Sequence, residues 1–385
     1  MFKSSPIRYT SLTLLAFATW ISFCHGGAYL WLVLLLNPFG LILFENTLGH
    51  DESNEAYRGK GVLNFLLHFT LPMLVLLHLT AWWLVTPVDQ DPFHFGYLIY
   101  RLFGFDLIQV KQSMTTAQWV VFVFNLGLIN ANMSLGVGHE LSHRVKNRFS
   151  MATGRWLTAF AADAAFSIEH VVGHHAHVAT EADPATARRG ETVYGFILRS
   201  SLGQLQGAWH IEKARCERKH LLFWSLSNQL FRAYLMVGSI LCLAYLVGQE
   251  RAVGLFLITA IIAKSMLEMT NYIQHYGLTR LPKTPIESHH SWNTWVNLTN
   301  SVTYNLARHS DHHIEGSKPF YKLRFLENVP TLPYGYLTMI FLTLFPPLFK
   351  QIMEPVLRTW DRSFATEGER RLAHRHANEF GWNIF

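Results

Sequence analysis

The sequence predicts an all-α integral membrane protein with about six transmembrane helices. Three observations carry that class: a composition that is 50% hydrophobic and 15% charged over 385 residues, six separate apolar windows, and a one-sided distribution of Lys and Arg. A bilayer core of ~30 Å takes about 20 helical residues to cross. Windows of that kind run from Tyr9 to Cys24, Ala28 to Phe44, Val62 to Val85, Ala117 to Val137, Leu230 to Gly248 and Ala252 to Ile273. The first two are joined only by His25, Gly26 and Gly27, which predicts a tight hairpin retained in the mature chain rather than a cleaved leader.

Six crossings from a cytoplasmic amino terminus place residues 45 to 61, 139 to 229 and 274 to 385 on the cytoplasmic side. Together with the amino tail these hold 27 of the 32 Lys and Arg residues. That is the positive-inside pattern, and it accounts for the +6 net charge without nucleic acid. Cys24, Cys216 and Cys242 are scattered with no C-x-x-C, so neither a disulfide framework nor an iron–sulfur site is expected, and any electrons come from a partner. The expectation is one integral-membrane domain over 1–385, with helices 1–4 in 1–138, two histidine clusters in 139–229, helices 5–6 in 230–273, and a third cluster with the tail in 274–385.

The histidines carry the chemistry. GHELSHR holds His139 and His143 four apart, a spacing that stacks two rings on one helix face. EHVVGHH repeats the step with His170 and His174, while His175 points about 100° away. RHSDHH supplies His309, His312 and His313, and NYIQHYG adds His275 where the last apolar window ends. Nine imidazoles exceed the four a tetrahedral ion takes, and two ions with four or five nitrogens each use them all. Nitrogen count does not name the metal.

Carboxylates inside or beside these clusters are candidates to accept the other ring N–H of a ligand histidine. Asp183 ranks first, followed by Glu140, Glu169, Glu268 and Asp311; His289 and His290 in SHHSW are further candidates for supporting hydrogen bonds. Lys264, four residues before Glu268, is expected either to form a structural ion pair or to serve the site. HELSH also matches the H-E-x-x-H pattern of zinc peptidases, with Glu140 as general base, but that chemistry leaves seven clustered histidines without a role.

HELSHR, EHVVGHHAHVATEADPATARRGE, NYIQHYGLTR and RHSDHHIEG resemble the histidine boxes of the integral-membrane alkane 1-monooxygenases and the related xylene monooxygenase hydroxylases, over roughly residues 135 to 385. Fatty-acid desaturases share the broader plan, and a desaturase-like lipid enzyme is one alternative. The resemblance implies a non-haem diiron enzyme with two iron ions on those nine histidines. It would use O2 to hydroxylate the terminal methyl of medium-chain alkanes, or alternatively the methyl of xylene-type alkylbenzenes.

The electron donor implied is a rubredoxin with its reductase, or a flavin and iron–sulfur reductase in the xylene branch. The setting implied is the bacterial inner membrane, with metal site and carboxyl terminus cytoplasmic. Arg144, Lys146, Arg148, Arg155, Arg188 and Arg189 form the basic set expected to attract an acidic carrier. Trp20, Trp31, Trp82 and Trp83, in the first three windows, are expected to shape the substrate channel.

Overall fold

The computed structural model describes residues 6–45, 47–54, 59–163 and 165–382. Helices dominate, and the only β pairings among these residues are two isolated bridges, His50 with Val296 and Asn293 with Thr331. Among the described residues, five helices are long and apolar enough to cross a bilayer: Ile7–His25, Ala28–Glu45, Lys60–Leu84, Thr116–Ser142 and Gln229–His275. The last contains non-helical backbone at Gly248 and Gln249 and so divides into two arms, which correspond to the fifth and sixth expected crossings. A side chain at Gly248 would meet the Trp82 carbonyl at 2.5 Å, so the break depends on that glycine's close approach to the neighbouring helix. The chain is an all-α membrane protein.

The expected hairpin forms because Gly26 and Gly27 both adopt positive φ, 65° and 55°, a backbone that L side chains resist. Its second arm is less regular than the apolar run suggests. Leu35–Gly40 is a wide π-helical turn, and Asn37 leaves helical backbone just before Pro38. Bulky side chains then fill the bundle: Phe23, Trp82, Trp83 and Phe122 are fully buried, and the Trp20 indole N–H, removed from water, donates to Thr80 Oγ1 at 3.0 Å.

Buried charges fasten the remaining elements. Lys264 lies 2.8 Å from both Asp163 and Glu268, and its partner Gln204 bridges to helix Val193–Arg218. The Lys264–Glu268 pair therefore acts as a structural clamp, every member satisfied, which is the condition for tolerating charge at that depth. Arg308, beside the third histidine cluster, is buried against Asp51, and Asp51 also receives Arg8. That network ties the cluster to the first spans.

Glu45 ends the second apolar helix fully buried. It accepts from the Leu337 and Thr338 backbone N–H groups at 3.1 and 2.9 Å and from the Thr299 hydroxyl, capping helix Tyr336–Thr343. Glu45→Ala strands these donors and is expected to cost about 1–3 kcal/mol. Thermal unfolding in detergent checks it, and an unchanged midpoint would remove Glu45 as the anchor.

Candidate metal centre

Two of the histidine clusters sit on widened helical turns. In the fourth span, α-helix gives way at Ala131–Val137 to a π-helical stretch that delivers Gly138–Ser142, with His139 and then His143 at its exit. Glu169–His174 is a second π-helical turn. In a π turn the repeat is i to i+5 rather than i to i+4. The expected pairing of His170 with His174 is corrected accordingly, since His170 and His175 come together and His174 turns the other way.

The nine rings converge into two groups. His139, His143, His170, His175 and His312 form one, and His174, His275, His309 and His313 the other; within each group, one nitrogen per ring lies within 4.8 Å of every other. Ring centroids are 4.5 Å apart for His139 and His170 and 4.5 Å for His143 and His175. In the second group, His309 Nε2 stands 3.1 Å from both His275 Nε2 and His313 Nε2. The short helix His309–Ile314 serves both, sending His309 and His313 to one group and His312 to the other.

The ring orientation follows from what holds the opposite nitrogen. His174 Nδ1–H donates to Asp183 at 2.9 Å, His275 Nδ1–H to the His290 carbonyl at 3.3 Å, and His309 Nδ1–H to the Leu306 carbonyl at 3.2 Å. Each bond fixes the tautomer that leaves Nε2 with a free lone pair. Six Nε2 atoms, of His139, His143, His170, His174, His175 and His312, are buried with no hydrogen-bond partner. Such orphans are costly unless something fills the space between them. Converging lone pairs of this kind fit metal ions.

Electrostatics agree. Burial, then the neighbouring His174 imidazole, pushes His143 down to about 3. Burial and neighbouring imidazoles hold His170, His175, His309, His312 and His313 well below the ordinary range, so these rings are neutral and available as ligands. His174 runs the other way: burial alone would lower it, but the Asp183 carboxylate raises it. Asp183, despite burial, is held low by His174 and the Thr186 hydroxyl.

Of the five carboxylates expected to support the histidines, Asp183 makes the direct bond. Glu140 instead takes the Arg144 guanidinium at 2.8 Å. Asp311 pins Lys318 and Arg324, and Glu268 holds Lys264 and Gln204. Glu169 is buried against Gly173 and Gly207, where burial and then the neighbouring Asp183 raise it to about 8. Two supports were not visible in the sequence. Glu369 bonds His290 Nε2 at 2.8 Å, steadying the carbonyl that holds His275; its Thr366-x-x-Glu369 spacing signals only a capping box. Gly316 lies over the first group, where a Cβ would sit 3.0 Å from the His175 ring.

A narrow cavity of about 80 Å³ ends on His139 and His170, with Ala131, Leu135, Met266, Leu267, Leu306 and Ile340 among its apolar walls. Its lining comes from the fourth span, the last span and residues 302–340, and Trp20, Trp31, Trp82 and Trp83, expected to shape the channel, are not among its walls. Trp82 and Trp83 are packed in the core, and Trp31 is exposed. The basic set also comes apart: Arg189 is fully buried against Asp361, and Arg144 is committed to Glu140, so those six cations form no single docking patch.

Comparison with known proteins settles the lineage. Residues 117–343 match the fatty acid desaturase family model. Alkane 1-monooxygenase 1 of Alcanivorax borkumensis is 33% identical over 86% of this chain and 78% of its own length. The chain belongs to the alkane monooxygenase family. Alkane 1-monooxygenase 1 of Pseudomonas aeruginosa is 36% identical over 62% of this chain and 64% of that protein. The xylene/toluene monooxygenase hydroxylase component of Pseudomonas putida, 30% identical, aligns over 98% of this chain and 96% of its own length. This alkane monooxygenase family member is thus a multi-pass membrane enzyme of the monooxygenase class.

Proposed function

We propose that the nine histidines hold two iron ions, five nitrogens on one and four on the other. The enzyme then hydroxylates the terminal methyl group of medium-chain alkanes with electrons from a rubredoxin. The observation that carries this reading is the apolar cavity ending on His139 and His170. When bound, the iron pair supplies O2 activation and the oxidising power to break an alkyl C–H bond. The chain's own residues do the rest. Leu135, Met266, Leu267 and Ile340 bind an alkyl chain by burying it and exclude water that would quench an oxidant. Asp183 and the carbonyls of His290 and Leu306 orient three of the ligands.

The whole chain is proposed to act as one integral-membrane hydroxylase domain in the bacterial inner membrane, with the metal site and carboxyl terminus cytoplasmic. The concentration of Lys and Arg on that side supports the orientation. A second reading, hydroxylation of an alkylbenzene methyl with a flavin and iron–sulfur reductase, is favoured by the nearly full-length match to the xylene/toluene hydroxylase component. Cells expressing the chain with each donor system, fed octane and p-xylene, separate the two. 1-Octanol with rubredoxin supports the first reading, 4-methylbenzyl alcohol the second, and an alkene or no oxygenated product overturns both.

A further inference from the structure

A second cleft, of about 470 Å³, opens between helix Arg148–Phe160 and the start of helix Gln229–His275. Arg148, Arg155 and Arg232 line it beside the apolar Trp156, Leu235 and Met236, and no acidic residue is among its walls. Arg155 donates to Gln229 Oε1 and Arg232 to the Leu226 carbonyl, both neutral oxygens. Glu212, whose charge acts on Arg155, is already engaged by Arg215 at 2.6 Å. Burial and then the proximity of Arg232 hold Arg155 below its ordinary value.

The position of the cleft says what answers that charge. The first arm of the last span, 229–247, rises about 28 Å at ~1.5 Å per residue, close to the ~30 Å of a hydrocarbon core. Its far end, Gly248, packs on Trp82 and Thr86 at the opposite rim of the bundle. The arginines at its near end therefore lie at headgroup depth. The loop leading into that end exposes Leu222, Trp224 and Leu226 at 79%, 73% and 65%. Large apolar side chains displayed in this way suit a membrane interface, where tryptophan is enriched.

We propose that this cleft binds the phosphate of an anionic phospholipid, with Arg148, Arg155 and Arg232 on the headgroup and Leu235 and Met236 against the upper acyl chain. Basic pockets between transmembrane helices are known to take such headgroups. The test titrates the full-length, metal-loaded protein in detergent with fluorescent phosphatidylglycerol and, separately, phosphatidylcholine. Arg148 and Arg232 are both exposed, so Arg148→Gln with Arg232→Gln keeps the fold. The double variant is expected to weaken phosphatidylglycerol binding about 30-fold, at roughly fivefold per cation, with phosphatidylcholine binding and iron content unchanged. Equal phosphatidylglycerol affinity in variant and parent overturns the proposal. Displacement of the lipid by inorganic phosphate at matched concentration also overturns it, by making the site one for free anions.

Discussion

On the proposed two-iron reading, exchanging His174 for alanine is expected to cut iron from two ions per chain to about one and to lower hydroxylation more than 100-fold, since even residues that only support ligands typically cost 10–100-fold. The double variants make the test sharp. His170→Ala with His175→Ala removes two members of the five-histidine group and leaves His174, His275, His309 and His313 intact. One ion should remain. His170→Ala with His174→Ala damages both groups, and both ions should be depleted. If helix 169–174 were an ordinary α turn, with His170 and His174 on the same ion, the second pair would behave as the first is expected to. Iron analysis on purified protein reads the difference, and equal iron in the two doubles would sink the grouping.

Acidification is expected to release metal and unfold the protein in one transition below about pH 6. His143 is pushed down to about 3, and His170, His175, His309, His312 and His313 are also held well below the ordinary range in the folded chain. Unfolded, each returns to about 6.5. Between the two values the unfolded state binds more protons, so stability is present above about 6.5 and is lost as pH falls. Each group contributes about 1.4 kcal/mol per pH unit, and together they approach roughly 8 kcal/mol per unit, against a total stability of about 5–15 kcal/mol. His174, raised by Asp183, contributes in the opposite sense but is a single group. Because the folded rings resist protonation, metal leaves only with the fold. Circular dichroism and a colorimetric iron assay followed together check this; iron lost at pH 6 with helicity intact would refute it.

Much of this was legible in the sequence because membrane insertion and metal binding both leave local marks. The apolar windows matched the observed spans to within a few residues at most ends, since hydrocarbon thickness fixes how many apolar residues a helix needs. The nine histidines stood out because imidazole is rarely concentrated in an apolar chain without a partner. Asp183 ranks first by its place in the ATEADPA run, and it bonds His174 Nδ1 at 2.9 Å. Glu140, Asp311 and Glu268 looked equivalent to it by proximity, but their partners Arg144, Lys318, Arg324 and Gln204 were identifiable only once the chain had folded.

The sequence by itself determined the class of the protein and its complement of candidate ligands, because helix length, charge asymmetry and residue type are properties of local segments. Only the tertiary structure decided which histidine joins which group. The π turns at Ala131–Val137 and Glu169–His174 rest on a choice between i+4 and i+5 hydrogen bonding, a rare departure that the residue types there do not announce. The surrounding packing makes that choice: Ala131–Val137 lies against helix Arg148–Phe160, and Glu169–His174 against helix Val193–Arg218.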